Sequence, residues 1–160
     1  MPLTLILMGL LQTASPDSAA WQERHFPDVP KVPVCTFVSP AKEIGSLAEL
    51  PEQVRTEVTR FFKAGGGLAD ANSEFNSTDV VDDRAVPQRR FIRAYLTDDI
   101  WFIWWEAGGI VHSLYTLALT RQRQEGGNSP VFRAAPGSVF IGNLCAGSRA
   151  FLTGVRAAGF

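Results

Sequence analysis

The most constraining feature of this sequence is an aromatic run near its middle, where residues 101–105 read Trp-Phe-Ile-Trp-Trp. Aromatic and β-branched residues are enriched in strands, and a similar composition extends over residues 89–119. Two pairs of turn-favouring residues, Asp98-Asp99 and Gly108-Gly109, divide this region into three segments. The region therefore predicts a three-stranded antiparallel meander. Gly108-Gly109 suits a two-residue hairpin loop, because a type I′ turn needs positive φ at both positions.

If both loops have two residues, the alternation of side chains assigns each residue of the meander to one of two faces. One face is almost wholly apolar and contains Trp101 and Trp105, so we expect it to be the core face. The other face mixes aromatic rings with charge, and it places Arg93 opposite Trp104 in a predicted cation–π pair. The predicted binding residues on this mixed face are Phe91, Arg93, Tyr95, Phe102, Trp104, Glu106 and Tyr115.

A helix is predicted ahead of the meander. Pro51 suits the first helical position, and the glycines at 65–67 suit a helix end. The apolar stripe is Leu50, Val54, Val58, Phe61 and Phe62, and the predicted solvent face is Glu52, Arg55, Glu57 and Arg60. The expected fold class is therefore α+β, with one amphipathic helix packed on an antiparallel sheet.

Whether the mixed face is buried or exposed depends on the structure of the C-terminal third of the chain. Residues 139–155 alternate apolar and small side chains, which favours strand over helix. Such strands would close a sandwich or a partial barrel over the mixed face. The alternative is that this face stays exposed as a recognition surface, since aromatic residues and arginine are enriched at interfaces.

The chain has 160 residues, of which 46% are hydrophobic, and residues 21–160 are predicted to form a single globular domain. Residues 1–20 contain an apolar run from Leu3 to Leu11, followed by small residues at Ser18 and Ala20. This pattern is typical of a signal peptide cleaved before Trp21, although no Lys or Arg precedes the run. The alternative is a buried N-terminal element. We expect a secreted or periplasmic protein with no stable membrane span in the mature chain.

Two cysteines, Cys35 and Cys145, lie in apolar-flanked segments. In an oxidising compartment they are expected to form one disulfide. Two unpaired core thiols are the alternative.

The sequence offers little for a cofactor or a metal. Its formal charge of −1 does not indicate a nucleic-acid partner. The glycines at 65–67 follow a predicted helix, whereas a phosphate-binding loop follows a strand. The acidic stretch after Asp70 lacks the glycine and glutamate of a calcium loop, because Phe75 and Val81 occupy those positions. The two histidines and two cysteines are not at ligand spacing, so neither a cofactor nor a metal is expected.

Three functional hypotheses follow. The first is an exported protein-binding or inhibitor-like domain, of the kind found among immunity proteins, that uses the mixed aromatic face. The second is a carrier of a small apolar ligand, held in a cleft between the sheet and its cover. The third is an enzyme that uses Glu106 or His112, and it is the least supported because no catalytic constellation can be named. The register places His112 beside Trp105 as a neutral core histidine.

Overall fold

The computed structural model describes Cys35, Phe37 and residues 41–80, 85–123 and 130–158. The predicted signal peptide lies outside these residues. In the described part, six strands form one antiparallel sheet on which two α-helices pack. The strands are β1 (Lys42–Ile44), β2 (Arg89–Thr97), β3 (Ile100–Ala107), β4 (Ser113–Gln122), β5 (Val131–Ala134) and β6 (Phe140–Ile141), and the helices are α1 (Glu52–Phe62) and α2 (Leu144–Leu152).

The predicted α+β class and the three-stranded meander are confirmed. The strand order is β1-β2-β3-β4-β5, and β6 also pairs with β4. The predicted closure into a sandwich or a barrel is wrong, because β5 and β6 extend the same open sheet. Residues 144–152, predicted as strand, form α2 instead. The Asn143 side chain caps this helix by accepting a hydrogen bond from the Ala146 N–H. The small residues of the segment are compatible with this helix.

The hairpin between β2 and β3 has the predicted two-residue loop. Asp98 and Asp99 take positive φ angles of 49° and 62°, which aspartate tolerates better than most residues. The loop sets Thr97 opposite Ile100. Trp101 and Trp105 consequently face α1, as predicted, on the side of the sheet that we call the α1 face. Trp104 lies on the opposite side, which corresponds to the predicted mixed face and which we call the second face.

Two irregularities overturn parts of the predicted register. A bulge in β2 around residue 92 lets Phe91 pair with Trp105, so Phe91 lies on the α1 face and not on the mixed face. The second irregularity is the loop after β3, which spans residues 108–112 because Ala107 pairs with Ser113. This longer loop puts Tyr115 opposite Trp105, also on the α1 face.

The position of Gly108 explains why the second loop is not a tight turn. The Gly108 N–H donates to the Gln88 carbonyl at 2.9 Å. A Cβ atom at Gly108 would collide with the backbone of Asn76 and Ser77. Gly108 is therefore required for close approach to a neighbouring segment, and only Gly109 of the two has positive φ.

Helix α1 covers the α1 face as predicted. Val54, Val58 and Phe62 are buried against the sheet. The Phe62 ring meets the Trp105 ring edge to face, with centroids 5.1 Å apart. The helix ends where Gly66 adopts a left-handed conformation and the Gly67 N–H donates to the Phe62 carbonyl.

Glu57, predicted to face solvent, is fully buried. Its carboxylate accepts the Ala134 N–H at 2.9 Å and contacts the guanidinium groups of Arg60 at 2.6 Å and Arg133 at 3.2 Å. Burial by itself raises the pKa of the Glu57 carboxyl, but these hydrogen bonds and positive charges outweigh it and hold the pKa below its ordinary value. Glu57 therefore joins α1 to β5 as an ionised group.

The second face of the sheet is covered by α2. Leu144 and Phe151 of α2 pack on Phe102 and Trp104. The predicted disulfide is confirmed: Cys35 is bonded to Cys145 in the first turn of α2, with Cα atoms 5.4 Å apart. The second face is therefore core, and the alternative of an exposed recognition surface is wrong for it.

Candidate functional site

The predicted binding residues do not form a surface. Phe91, Tyr95, Phe102, Trp104 and Glu106 are all buried. Tyr115 is half-buried on the α1 face, where its ring stacks on that of Trp105 at 4.1 Å. Arg93 keeps 29% of its side chain exposed. Of the seven predicted residues, therefore, only Arg93 and Tyr115 have side chains that reach solvent in the described structure.

The predicted cation–π pair is replaced by other contacts. Arg93 is opposite Trp104 in the register, but its guanidinium lies 2.8 Å from the Glu43 carboxylate of β1. The Tyr95 ring packs against the Trp104 ring instead, with centroids 4.7 Å apart. Burial raises the pKa of the Tyr95 phenol, and the nearby Glu43 charge adds to this rise against the opposing effect of Arg93. Tyr95 is therefore a neutral core residue.

Glu106 and His112, the two residues predicted for an enzyme, do meet. The His112 Nε2 atom lies 2.5 Å from Glu106 Oε2. The other carboxylate oxygen, Oε1, accepts a hydrogen bond from Arg90 Nε and forms an ion pair with Arg90 Nη2, both at 2.7 Å. The side chains of Arg90 and Glu106 are each 4% exposed, whereas that of His112 is 37% exposed. We call Arg90, Glu106 and His112 the charged cluster.

Sequence reasoning missed Arg90 and misplaced His112. The bulge in β2 reverses the facing of residues before it, so Arg90 lies opposite Glu106 and on its side of the sheet. The five-residue loop carries His112 away from Trp105 and into reach of Glu106. Both carboxylate oxygens of Glu106 contact neighbouring side chains. This geometry favours a structural role for the Glu106–His112 pair over the role of a free acid or base.

The Phe75 ring packs against the Arg90 side of the charged cluster. The Arg90 guanidinium lies 4.3 Å from the centroid of the buried Phe75 ring, a cation–π distance. The segment containing Phe75 runs beside β2, where the Ala69 N–H donates to the Arg89 carbonyl and the Ala69 carbonyl accepts from the Phe91 N–H. This segment therefore both covers the cluster and protects part of the edge of β2.

The charged cluster lies at the base of an exposed apolar loop, which we call the β3–β4 loop (residues 108–112). Ile110 is 89% exposed and Val111 is 71% exposed, and we call these two side chains the apolar tip. The loop backbone is held next to the tip, because the Gly109 N–H donates to the Ser77 carbonyl at 3.2 Å. In the adjoining segment, Val80 is a further exposed apolar side chain.

A separate apolar cleft of about 280 Å³ lies on the α1 face, at the end of α1 remote from Pro51. Its lining residues are Phe61, Leu117, Ala134, Ala135, Pro136, Gly137, Ser138, Val139, Ala157 and Ala158. The Ser138 hydroxyl donates to the Ala118 carbonyl, and the Gly137 carbonyl accepts the Ala157 N–H. These polar groups are already engaged within the protein, so the cleft presents a largely apolar lining.

Among the described residues, no group of three or more His, Cys, Asp or Glu side chains is placed to hold a metal ion. Within the same residues, no helix has the length and apolar character needed to cross a bilayer. In comparisons with known proteins, the chain matches no family model, no curated protein and no solved structure.

Proposed function

We propose that this protein is a small exported binding module that recognises a protein partner through its β3–β4 loop. The observation that carries the proposal is the apolar tip, two adjacent branched side chains held in water on a loop with an anchored backbone. Protein binding is thus retained as the function, but the contact element is the β3–β4 loop, because the aromatic face is buried.

The energetics favour this assignment. Full burial of a valine or isoleucine side chain contributes about 1.5 to 3 kcal/mol, so the tip can stabilise a complex substantially when it enters an apolar pocket. The loop loses little conformational entropy on binding, because Gly108 and Gly109 are already hydrogen-bonded to neighbouring segments. Exposed tips on rigid loops are suited to insertion into concave partner surfaces.

Export is supported by the disulfide and by the N-terminal sequence. A Cys35–Cys145 disulfide fits an extracellular or periplasmic protein, since cytosolic thiols are usually kept reduced. Residues 1–20 carry the apolar run expected of a signal peptide. We therefore assign the binding function to a secreted or periplasmic protein.

The double variant Ile110→Ser/Val111→Ser tests the loop. A partner is first isolated from the envelope of the producing cell on the immobilised wild-type protein, and its affinity for each variant is then measured with purified components by calorimetry. We expect an affinity loss of about 10- to 100-fold, because the tip loses most of its apolar area. Val155→Ser is the matched control, since Val155 is 51% exposed and lies beyond α2. An equal loss in the control, or unchanged affinity in the double variant, would reject the loop as the contact element.

A second candidate function, carriage of a small apolar ligand, is favoured by the apolar cleft. Its volume of about 280 Å³ is close to the lower end of the roughly 300 to 1,000 Å³ of small-molecule sites. A neutral ligand suits it, because a charged group would lose its hydration without gaining a partner. We expect native mass spectrometry to show a bound apolar molecule that Ala157→Phe displaces by filling the cleft, whereas Val155→Ser retains it. A wild-type protein that carries no such mass would remove this candidate.

A further inference from the structure

The charged cluster contains one imidazole, that of His112. Imidazole is the side chain whose ordinary titration falls between about pH 5 and 8, whereas a guanidinium stays charged throughout this range. His112 is the last residue of the β3–β4 loop and directly follows the apolar tip. Its partner Glu106 belongs to β3 and is buried. The contact between them therefore joins the loop to the sheet.

The strength of this contact depends on protonation. A protonated His112 donates its Nε2–H to Glu106 Oε2 as one partner of an ion pair, so the contact combines a hydrogen bond with the attraction of two opposite charges. A neutral His112 can at most donate one hydrogen bond to this carboxylate, and the contact loses the attraction of the imidazolium charge. The buried Arg90 and Glu106 form an ion pair in both states, so the core part of the cluster is unchanged.

Within the described part of the chain, one carboxylate contacts His112. Glu106 of β3 is the acidic side chain in ion-pair contact with it, and no other described acidic side chain is within that distance. From β2 the guanidinium of Arg90 forms an ion pair with Glu106, and from the segment beside β2 the uncharged ring of Phe75 packs against Arg90. Among the described acidic side chains, Glu106 is therefore the one whose contact with His112 depends on the protonation of the imidazole.

We propose that His112 is a pH-sensitive switch that holds the β3–β4 loop against the sheet when protonated and loosens the loop when neutral. The loop is then more ordered at mildly acidic pH than at mildly alkaline pH. The consequence for a partner rests on the proposed function: affinity through the apolar tip is higher at mildly acidic than at mildly alkaline pH, because the loop is ordered before it binds.

The switch is tested without a partner, by amide hydrogen exchange of the full chain measured by NMR. The protection factors of the Gly108 and Gly109 amides, which donate to Gln88 and Ser77, report loop opening. We expect protection about five- to tenfold higher at pH 5 than at pH 8, the effect of adding one positive charge to a contact between a carboxylate and a partly exposed side chain. The Ala135 amide, which donates to Ala118, is the internal control for global stability.

Two histidine variants assign the effect. His112→Gln keeps a hydrogen-bonding side chain without a titrating charge and is expected to abolish the pH dependence at Gly108 and Gly109. His25→Gln removes the other histidine and is expected to retain it. Equal wild-type protection at both pH values, a pH dependence that survives His112→Gln, or one that is lost in His25→Gln overturns the switch. A switch that is observed while the tip variants bind normally would instead reject the loop as the binding element.

Discussion

Replacement of Trp104 by alanine is expected to destabilise the protein by about 3 to 5 kcal/mol, as is typical when a large aromatic side chain is removed from a packed core. Trp104 is fully buried, although it belongs to the face whose composition suggested a recognition surface. Its indole Nε1–H donates to the Ser148 hydroxyl of α2 at 3.0 Å, and the Tyr95 ring packs against it. The substitution would therefore leave a cavity under α2 and remove a contact that positions this helix.

Equilibrium unfolding in urea, followed by circular dichroism, measures the change in free energy of unfolding. Trp104→Phe is the matched control. It retains an apolar ring but cannot donate to Ser148, so we expect a loss of about 1 to 2 kcal/mol from packing and the missing hydrogen bond. A change of less than about 0.5 kcal/mol for Trp104→Ala is what a surface position would show. That result would return the aromatic face to consideration as a binding site.

Removal of the disulfide by Cys35→Ser/Cys145→Ser is expected to cost up to about 4 to 5 kcal/mol. The chain-entropy treatment gives a value of this size for a sequence separation of 110 residues, and residual structure in the unfolded chain reduces it. The bond also connects Cys145, in the first turn of α2, to the segment in which Phe37 stacks on Phe102 with centroids 6.0 Å apart. Both elements cover the second face, so its cover is weakened together with the bond.

Guanidinium unfolding of the wild-type protein, with and without a reductant, gives the same quantity without a substitution. The double serine variant is the control, because a reductant should not change its stability. We expect the reduced wild type and the variant to have similar midpoints, both well below that of the oxidised protein. Equal stability of the oxidised and reduced wild type would show that the bond does not hold the cover of the second face.

Much of the fold could be predicted because it follows from local patterns. The alternation of side chains along β3 sends Trp105 and Trp104 to opposite faces whatever the strand pairs with. The helical spacing of Val54, Val58 and Phe62 likewise predicts one buried stripe. The disulfide was predicted from the two cysteines of the sequence and the expectation of an oxidising compartment.

The candidate site could be predicted only in fragments. The sequence offered Glu106 and His112 as separate candidate catalytic residues. Their contact was not predicted, because it depends on a loop of five residues in place of two. No role was predicted for Arg90, because neither composition nor periodicity indicates the β2 bulge that places it opposite Glu106. Glu57 looked like a solvent-facing residue of α1, since helical periodicity does not reveal that Ala134 and Arg133 will arrive from β5.

The sequence by itself therefore determined the elements of the meander and the first helix, the inward facing of Trp101 and Trp105, and the cysteines available to pair. Tertiary structure decided the bulge, the length of the β3–β4 loop, the cover of Trp104 by α2 and the assembly of the charged cluster. The physical reason is the range of the interactions. Periodicity acts between residues a few positions apart, whereas Gly108 is positioned by Asn76 and Ser77, and Trp104 by Ser148, contacts that exist only after the chain has folded.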